Sequence, residues 1–283
     1  MHESRVHGRH ATDRSILGLV LLLATGSAQA AGENADLLND PFSLSLGTFI
    51  VGTDTKLQVN GDQIGDEIDL EQTFGQPDRN RFRADGYWRF ADRHKLRFLW
   101  FDWRATRSRR IKEDFIFEDV LYEADATLEL KNNFSVYELA YEYAFLRRDN
   151  FELTGTIGVH YTEFAVELRA KLDVNGEPAG QGERKSSADL GAPLPVIGAR
   201  LLWNIGGDFW LDGSAQYFAL SYGEYDGSLQ DYRVGVSWQP RKWLGVGLGF
   251  NAFDVNVDVD KDRFNGSLDW SYYGPMIYYT ASF

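Results

Sequence analysis

Phe82-Arg83-Ala84-Asp85-Gly86-Tyr87-Trp88-Arg89-Phe90 alternates without a break. Phe82, Ala84, Gly86, Trp88 and Phe90 form one set, and Arg83, Asp85, Tyr87 and Arg89 the other. Successive side chains of a β-strand point to opposite faces, so this stretch is a strand with one apolar and one charged face. The pattern returns in Tyr137-Glu138-Leu139-Ala140-Tyr141-Glu142-Tyr143-Ala144-Phe145 and in Phe151-Glu152-Leu153-Thr154-Gly155-Thr156-Ile157-Gly158-Val159-His160-Tyr161.

Outward from these stretches, ten strands are predicted: 42–59, 81–90, 95–106, 124–145, 151–172, 192–204, 209–222, 229–239, 243–258 and 267–283. The alternation breaks phase near Trp100 to Trp103 and near Glu163-Phe164. Such breaks are expected to be bulges, or points where a strand leaves a membrane. Tight polar turns are expected at 91–94, 146–150, 204–208 and 240–242. Long, partly acidic connections are expected at 60–80, 107–123 and 173–191. Short and long connections alternate along the chain, as they do in outer-membrane barrels. The fold class is therefore all-β: a closed, antiparallel, up-and-down transmembrane β-barrel of about ten strands. An even count puts both termini on the periplasmic side. A sheet in a bilayer must close, because no water is there to satisfy its edges. With no Pro- or Ser-rich linker, residues 31–283 form one barrel domain.

Residues 1–30 carry Arg5, Arg9 and Arg14, then the apolar run Ile16 to Ala24, then Ser27-Ala28-Gln29-Ala30. A basic flank, a short apolar core and small residues before the cut make a secretory signal peptide. The chain has no cysteine, which excludes a disulfide framework, a thiolate nucleophile and a cysteine zinc site. Its net charge of −13 argues against a nucleic-acid partner. Mean hydropathy is −0.36, as expected where only every second residue meets lipid.

Aromatic residues mark the expected membrane boundaries, where an apolar ring with a polar edge fits best. Trp203, Trp210, Trp238 and Trp243, with Phe90, Phe145 and Phe151, are expected to form the periplasmic girdle. Trp270, Tyr272 and Tyr273 are expected near the outer one. The chain ends Ile277-Tyr278-Tyr279-Thr280-Ala281-Ser282-Phe283. This resembles the C-terminal strand signature that the outer-membrane assembly machinery reads, with Ala281 where an aromatic is common. Residues 65–71, 227–229, 249–260 and 266–270 resemble those of a group of proteobacterial outer-membrane β-barrel proteins without an assigned activity. The resemblance implies a barrel and its location, and it carries over no catalytic residue.

If the aromatic faces meet lipid, the opposite face lines a lumen. It collects Arg83, Asp85, Arg89, Arg97, Glu138, Glu142, His160, Arg200, Asp212 and Arg233, with Gln216 and Asn251. Opposite charges on neighbouring strands are expected to pair and fill a bore this narrow. That makes the protein a structural or surface component of the outer membrane, with a side-chain-filled lumen. One alternative is a narrow channel for small polar solutes. A second is a lipid A-modifying enzyme with His160 as base near Thr162 and Glu138 or Glu142, although no serine completes a recognisable triad. Asp254 to Asp262 offers oxygens at alternate positions, but a strand spaces them too widely for one ion, and a solvated acidic edge is expected. No phosphate loop, zinc helix or nucleophile elbow is present. No catalytic residue, metal or cofactor is assigned. Gly245, Gly247 and Gly249 are expected to relieve crowding in the lumen. The expected partners are outer-membrane lipid, lipopolysaccharide and, through the strand ending in Phe283, the assembly machinery.

Overall fold

The alternating stretches close into one barrel. The computed structural model of the chain describes residues 33–50, 52–60, 64–75, 80–117, 119–124, 126–171, 173–174, 177–178, 184–222, 225–261 and 264–283. The expected signal peptide lies outside them. In chain order the elements are β1 (Phe42–Ile50), β2 (Gly52–Asn60), β3 (Ile68–Asp69), α1 (Leu70–Phe74), β4 (Asn80–Ala91), β5 (His94–Arg110), β6 (Phe115–Phe117), β7 (Val120–Tyr122), β8 (Thr127–Arg147), β9 (Phe151–Lys171), β10 (Asp173–Val174), β11 (Glu177–Pro178), β12 (Arg184–Gly206), β13 (Phe209–Tyr222), β14 (Tyr225–Arg241), β15 (Leu244–Lys261) and β16 (Phe264–Ser282). β1 and β2 together form the first wall strand. β4, β5, β8, β9 and β12 to β16 follow as antiparallel neighbours, and β16 pairs back onto β1 and β2. Ten wall strands close the sheet, in agreement with the expectation.

The strands keep a single phase throughout. On β8, Leu128, Leu130, Asn132, Phe134, Val136, Glu138, Ala140, Glu142 and Ala144 are all buried inside. The residues between them point outward. What changes along the strand is chemistry. Near the tight turns the outside is apolar (Tyr137, Leu139, Tyr143, Phe145) and the inside is charged (Glu138, Glu142). Toward the long connections the outside becomes Glu129, Lys131, Asn133 and Ser135, and the inside becomes Leu128, Leu130 and Phe134. β9 repeats the exchange: Leu153, Ile157, Val159 and Tyr161 face out before Glu163, Glu167 and Arg169, while Thr154, Thr156 and His160 face in before Phe164, Val166 and Leu168. About 9–11 residues cross a bilayer as a tilted strand, and β8 and β9 have 21 each, so half of each stands beyond the lipid.

This exchange corrects the expected bulges. Trp100 faces out between Leu99 and Phe101, which face in, and Glu163 faces out before the inward Phe164. The apparent phase breaks mark where the interior turns apolar, with the ladder intact. Register shifts fall instead at the tight turns, after Arg89, Ala144, Asn204 and Trp238. Strands also run further than expected at the loop end. β12 begins at Arg184, inside the connection expected at 173–191, and β5 runs to Arg110. Acidic or polar outward residues made these strand ends look like loop.

Two breaks interrupt the wall at the loop end. β4 leaves β5 at Phe82↔Asp102 and leaves β1 at Ile50↔Asn80. Among the described residues no long strand stands between β2 and residues 103–110 of β5, and β3 and α1 lie there. β12 leaves β13 at Ile197↔Tyr217, so its residues 184–196 pair with β9 alone among the described strands. Pro193 and Pro195 lie on that free edge, the position open to residues without an N–H.

Candidate functional site

The interior is built in layers, and each layer follows from inward residues at one height. At the turn end, residues 33–41 fold across the mouth. Leu37 and Leu38 pack on Leu202 and Trp210. The Leu37 carbonyl accepts from Tyr87 Oη at 2.7 Å, and Lys242 pairs with Glu33 at 2.7 Å and Asp40 at 3.1 Å. Those two carboxylates raise the Lys242 ammonium above its usual pKa, the Glu33 hydrogen bond most. Trp210 was expected in the periplasmic girdle. It faces inward because Phe209 takes the outward position beside it, while Trp203, Trp238 and Trp243 do face out.

Above this seal lies a lattice of buried ions. Asp85 takes Arg83 at 3.1 Å, Arg233 at 2.9 Å and Arg97 at 3.6 Å. Glu152 takes Lys95 at 2.5 Å and Arg89 at 2.8 Å, and Lys95 also meets Glu142 at 3.2 Å. Asp212 takes Arg200 at 2.7 Å and Arg233 at 3.9 Å. Asn251 joins the groups by accepting from Arg83 at 2.7 Å and donating to Asp231 at 2.6 Å. Arg83, Arg89, Lys95, Arg97, Arg200 and Arg233 thus stand against Asp85, Glu138, Glu142, Glu152, Asp212 and Asp231, and the charges balance. All ten residues singled out from the sequence lie in this layer. Lys95, Glu152 and Asp231 were missed. Lys95 and Glu152 sit at the starts of the strands expected at 95–106 and 151–172, where each shares parity with a singled-out residue further along, Arg97 and His160. A small polar cavity of about 40 Å³ remains beside Asp85, Lys95, Arg97, Arg200 and Asp212, room for no more than a few waters.

His160 caps the lattice. Its Nε2 lies 2.9 Å from Gln216 Oε1 and 3.5 Å from Glu138 Oε2, and Gln216 Nε2 donates to Glu138 at 2.6 Å. Its ring stacks on Phe253 with centroids 6.3 Å apart. Of the groups weighed as its neighbours, Glu138 is in contact and Glu142 is turned to Lys95. Thr162 is inward and buried, and its hydroxyl has no hydrogen-bond partner.

Beyond His160 the interior is aromatic. Trp270 stacks on Phe134 and on Trp103, Tyr272 stacks on Phe253 and Phe101, and Phe49 meets Phe101 edge-on. Trp270 and Tyr272 were expected at the outer girdle. They share parity with Leu268 and Met276 and point inward, while Tyr273 is exposed on the outside. The β6–β7 hairpin closes the top with buried Phe117 and Tyr122, and it is joined to the segment before β3 where Asp66 N donates to the Ile116 carbonyl and the Asp66 carboxylate accepts from Ile116 N. Across the first wall break, α1 buries Leu70 and Phe74. Glu71 accepts from Thr53 Oγ1 at 3.0 Å and Thr55 N at 2.6 Å, and Arg107 donates to the Gly75 carbonyl. Burial raises the Glu71 pKa against these bonds and the Arg107 charge.

The outside of the protruding half is charged. Glu167 meets Arg169 at 2.6 Å, Lys185 at 2.9 Å and Lys131 at 3.7 Å. Lys185 and Arg169 hold its carboxyl down at about 2. On β15 and β16, Asp254, Asp258 and Asp269 share the outer face. Among the described residues no group of three or more His, Cys, Asp or Glu could hold a metal ion.

No family model matches the chain, and no curated protein does. Solved structures do. The outer membrane protease OmpT from Escherichia coli aligns over 89% of this chain and 99% of its own with a TM-score of 0.51 at 9% identity. The transport unit of the autotransporter AIDA-I from Escherichia coli aligns over 92% and 97% with a TM-score of 0.39 at 10% identity. At 9% identity the likeness to OmpT is one of fold. The chain is a bacterial outer-membrane β-barrel protein: its wall is closed, and its outward face carries an apolar belt edged by tryptophan, phenylalanine and tyrosine.

Proposed function

We propose that this barrel is closed to solutes and works through its exterior, as a structural or surface component of the outer membrane. The observation that carries this reading is the filling of the interior. A polar seal, a charge-balanced lattice, an aromatic core and a hairpin lid follow one another along the bore. Burying twelve ionic groups is costly unless they pair, and pairing joins side chains across the whole section. Outside, the cations Lys131, Arg169 and Lys185 lie a few residues beyond the aromatic rim of Tyr137 and Tyr161. That height suits the phosphates of lipopolysaccharide, one of the expected partners. The last strand offers the assembly machinery its Phe283 terminus, whose backbone pairs with Phe42 at 2.9 and 3.0 Å in the closed barrel. A lipid A-modifying activity would need an acid–base group on the lipid side, and His160 is wholly inside.

Purified protein in a planar bilayer tests the reading. Brief, small openings at most are expected. Steady ohmic conductance in ordinary salt would overturn it in favour of the narrow channel. Conductance that appears only after Arg89 or Glu142 is replaced would identify the lattice as the seal.

A further inference from the structure

One row of the aromatic half is lined by small side chains. Ala105 on β5, Asn132 on β8, Val166 on β9 and Ala188 on β12 lie opposite one another across three ladders. The row toward the membrane carries Trp103, Phe134 and Phe164, and the row beyond carries Leu130, Leu168 and Ser186. In this apolar setting Asn132 is fully buried, and neither its amide nitrogen nor its amide oxygen has a hydrogen-bond partner. Ser186 Oγ and the indole nitrogens of Trp103 and Trp270 are likewise buried and unpartnered. A buried polar group left without a partner costs about 1–3 kcal/mol, and leucine would fill the Asn132 site without that cost. Four such groups around one row of small residues mark a place built to receive hydrogen bonds from something else.

We propose that this row is a binding site for a small neutral amphiphile. Its apolar body enters by parting the stacked rings of Trp103, Phe134 and Trp270, and its single hydroxyl or carbonyl oxygen sits on the Asn132 amide. The ligand is neutral because the nearest charge is already balanced: Arg107 stands 3.8 Å from the Glu71 carboxylate, and Arg81 lies over the Trp103 ring at 4.9 Å. The free edge of β12, residues 184–196, borders the row through Ser186 and Ala188 and descends to the level of Val159 and Tyr161 in the lipid belt. It gives an apolar molecule a way in from the outer leaflet without crossing the ionic lattice. The site is therefore independent of whether the barrel conducts.

The test uses full-length mature protein in lipid nanodiscs, with 1-naphthol as the probe and tryptophan fluorescence as the readout, corrected against empty nanodiscs. Saturable quenching is expected. 1-Methylnaphthalene, without the oxygen, should bind about tenfold more weakly, the equivalent of one hydrogen bond. Asn132→Leu should weaken naphthol to the level of methylnaphthalene and leave methylnaphthalene unchanged. Ala188→Leu, which fills the row and keeps the amide, should weaken both probes, and it decides the matter if the first variant does not reach the folded, heat-modifiable form. Quenching that follows lipid partition alone, or equal naphthol affinity in wild type and either folded variant, would overturn the proposal.

Discussion

Gly247 and Tyr278 share one space inside the barrel. A Cβ added at Gly247 would stand 2.2 Å from the Tyr278 ring, so the glycine exists to let that ring lie flat against the wall. Gly247→Ala should therefore destabilise the protein by about 1–3 kcal/mol in urea unfolding from lipid vesicles. An unchanged midpoint would mean that the ring sits elsewhere. The crowding role of these glycines was legible from their alternation with valine and leucine, although the partner ring was not. Ile157 and Thr154 make the complementary pair. Ile157 is exposed to the belt, and an arginine there should cost about 2–4 kcal/mol. Thr154 is buried beside the lattice, so arginine there should act through crowding and charge imbalance, with no dependence on bilayer thickness. Equal responses in thin and thick bilayers at both sites would show the strand phase to be wrong. Lys95 bridges two carboxylates of the lattice, Glu142 and Glu152. Lys95→Met should cost about 3–5 kcal/mol, because it takes from the buried Glu142 its paired cation and leaves Glu152 to Arg89. Sequence reading overlooked this lysine because it begins its strand, next to a turn whose polarity hid its parity.

At the scale of elements, the strands were legible where they cross lipid and obscure where they leave it. Inside the belt, apolar and charged residues alternate cleanly, and period two is unmistakable. Beyond it both faces change character, and a run such as Arg184 to Gly191 reads as loop because its outward residues are polar. α1 was invisible for another reason. Five residues carry too little periodicity to register, and the helix forms because tertiary contacts hold it, with Asp69 accepting from Gln72 N at the start and Gly75 at φ 83° at the end. Arg107→Met removes the donor that fixes that end. Hydrogen exchange in residues 65–75 should rise, while exchange in β8 and β9 should not. The acidic face of β15 and β16 sets a pH dependence. Burial, then Asp258 and Glu67, push the Asp269 pKa above its ordinary 3.8. The folded state thus holds the proton more tightly than the unfolded chain. The stabilisation is complete below the ordinary value and is lost as pH rises through the raised one. Asp269→Asn should raise the thermal midpoint at neutral pH and change it little at strongly acid pH. A gain that is the same at both pH values would show that ionisation is not the cause.

For the molecule as a whole, barrel and location could be read from sequence because closure in lipid leaves few alternatives. Much of the ionic interior could be listed as well, but not which ions meet or where aromatic residues replace them, because three-dimensional neighbours decide both. The layered seal predicts redundancy. Removing residues 33–41 should open the periplasmic mouth to water-soluble thiol reagents at a cysteine placed on Ser237, yet should not raise conductance, since the lattice and the aromatic core remain. Steady current after that deletion alone would show that the mouth was the only barrier. The single phase kept by every strand has one more consequence, and it concerns errors of assembly. Sliding one strand by a single residue would turn its charged side chains toward lipid and, in the same movement, its aromatic side chains toward water. Here both halves object at once, so a misregistered hairpin has no height at which it can rest, and the sheet proofreads its own pairing before it closes.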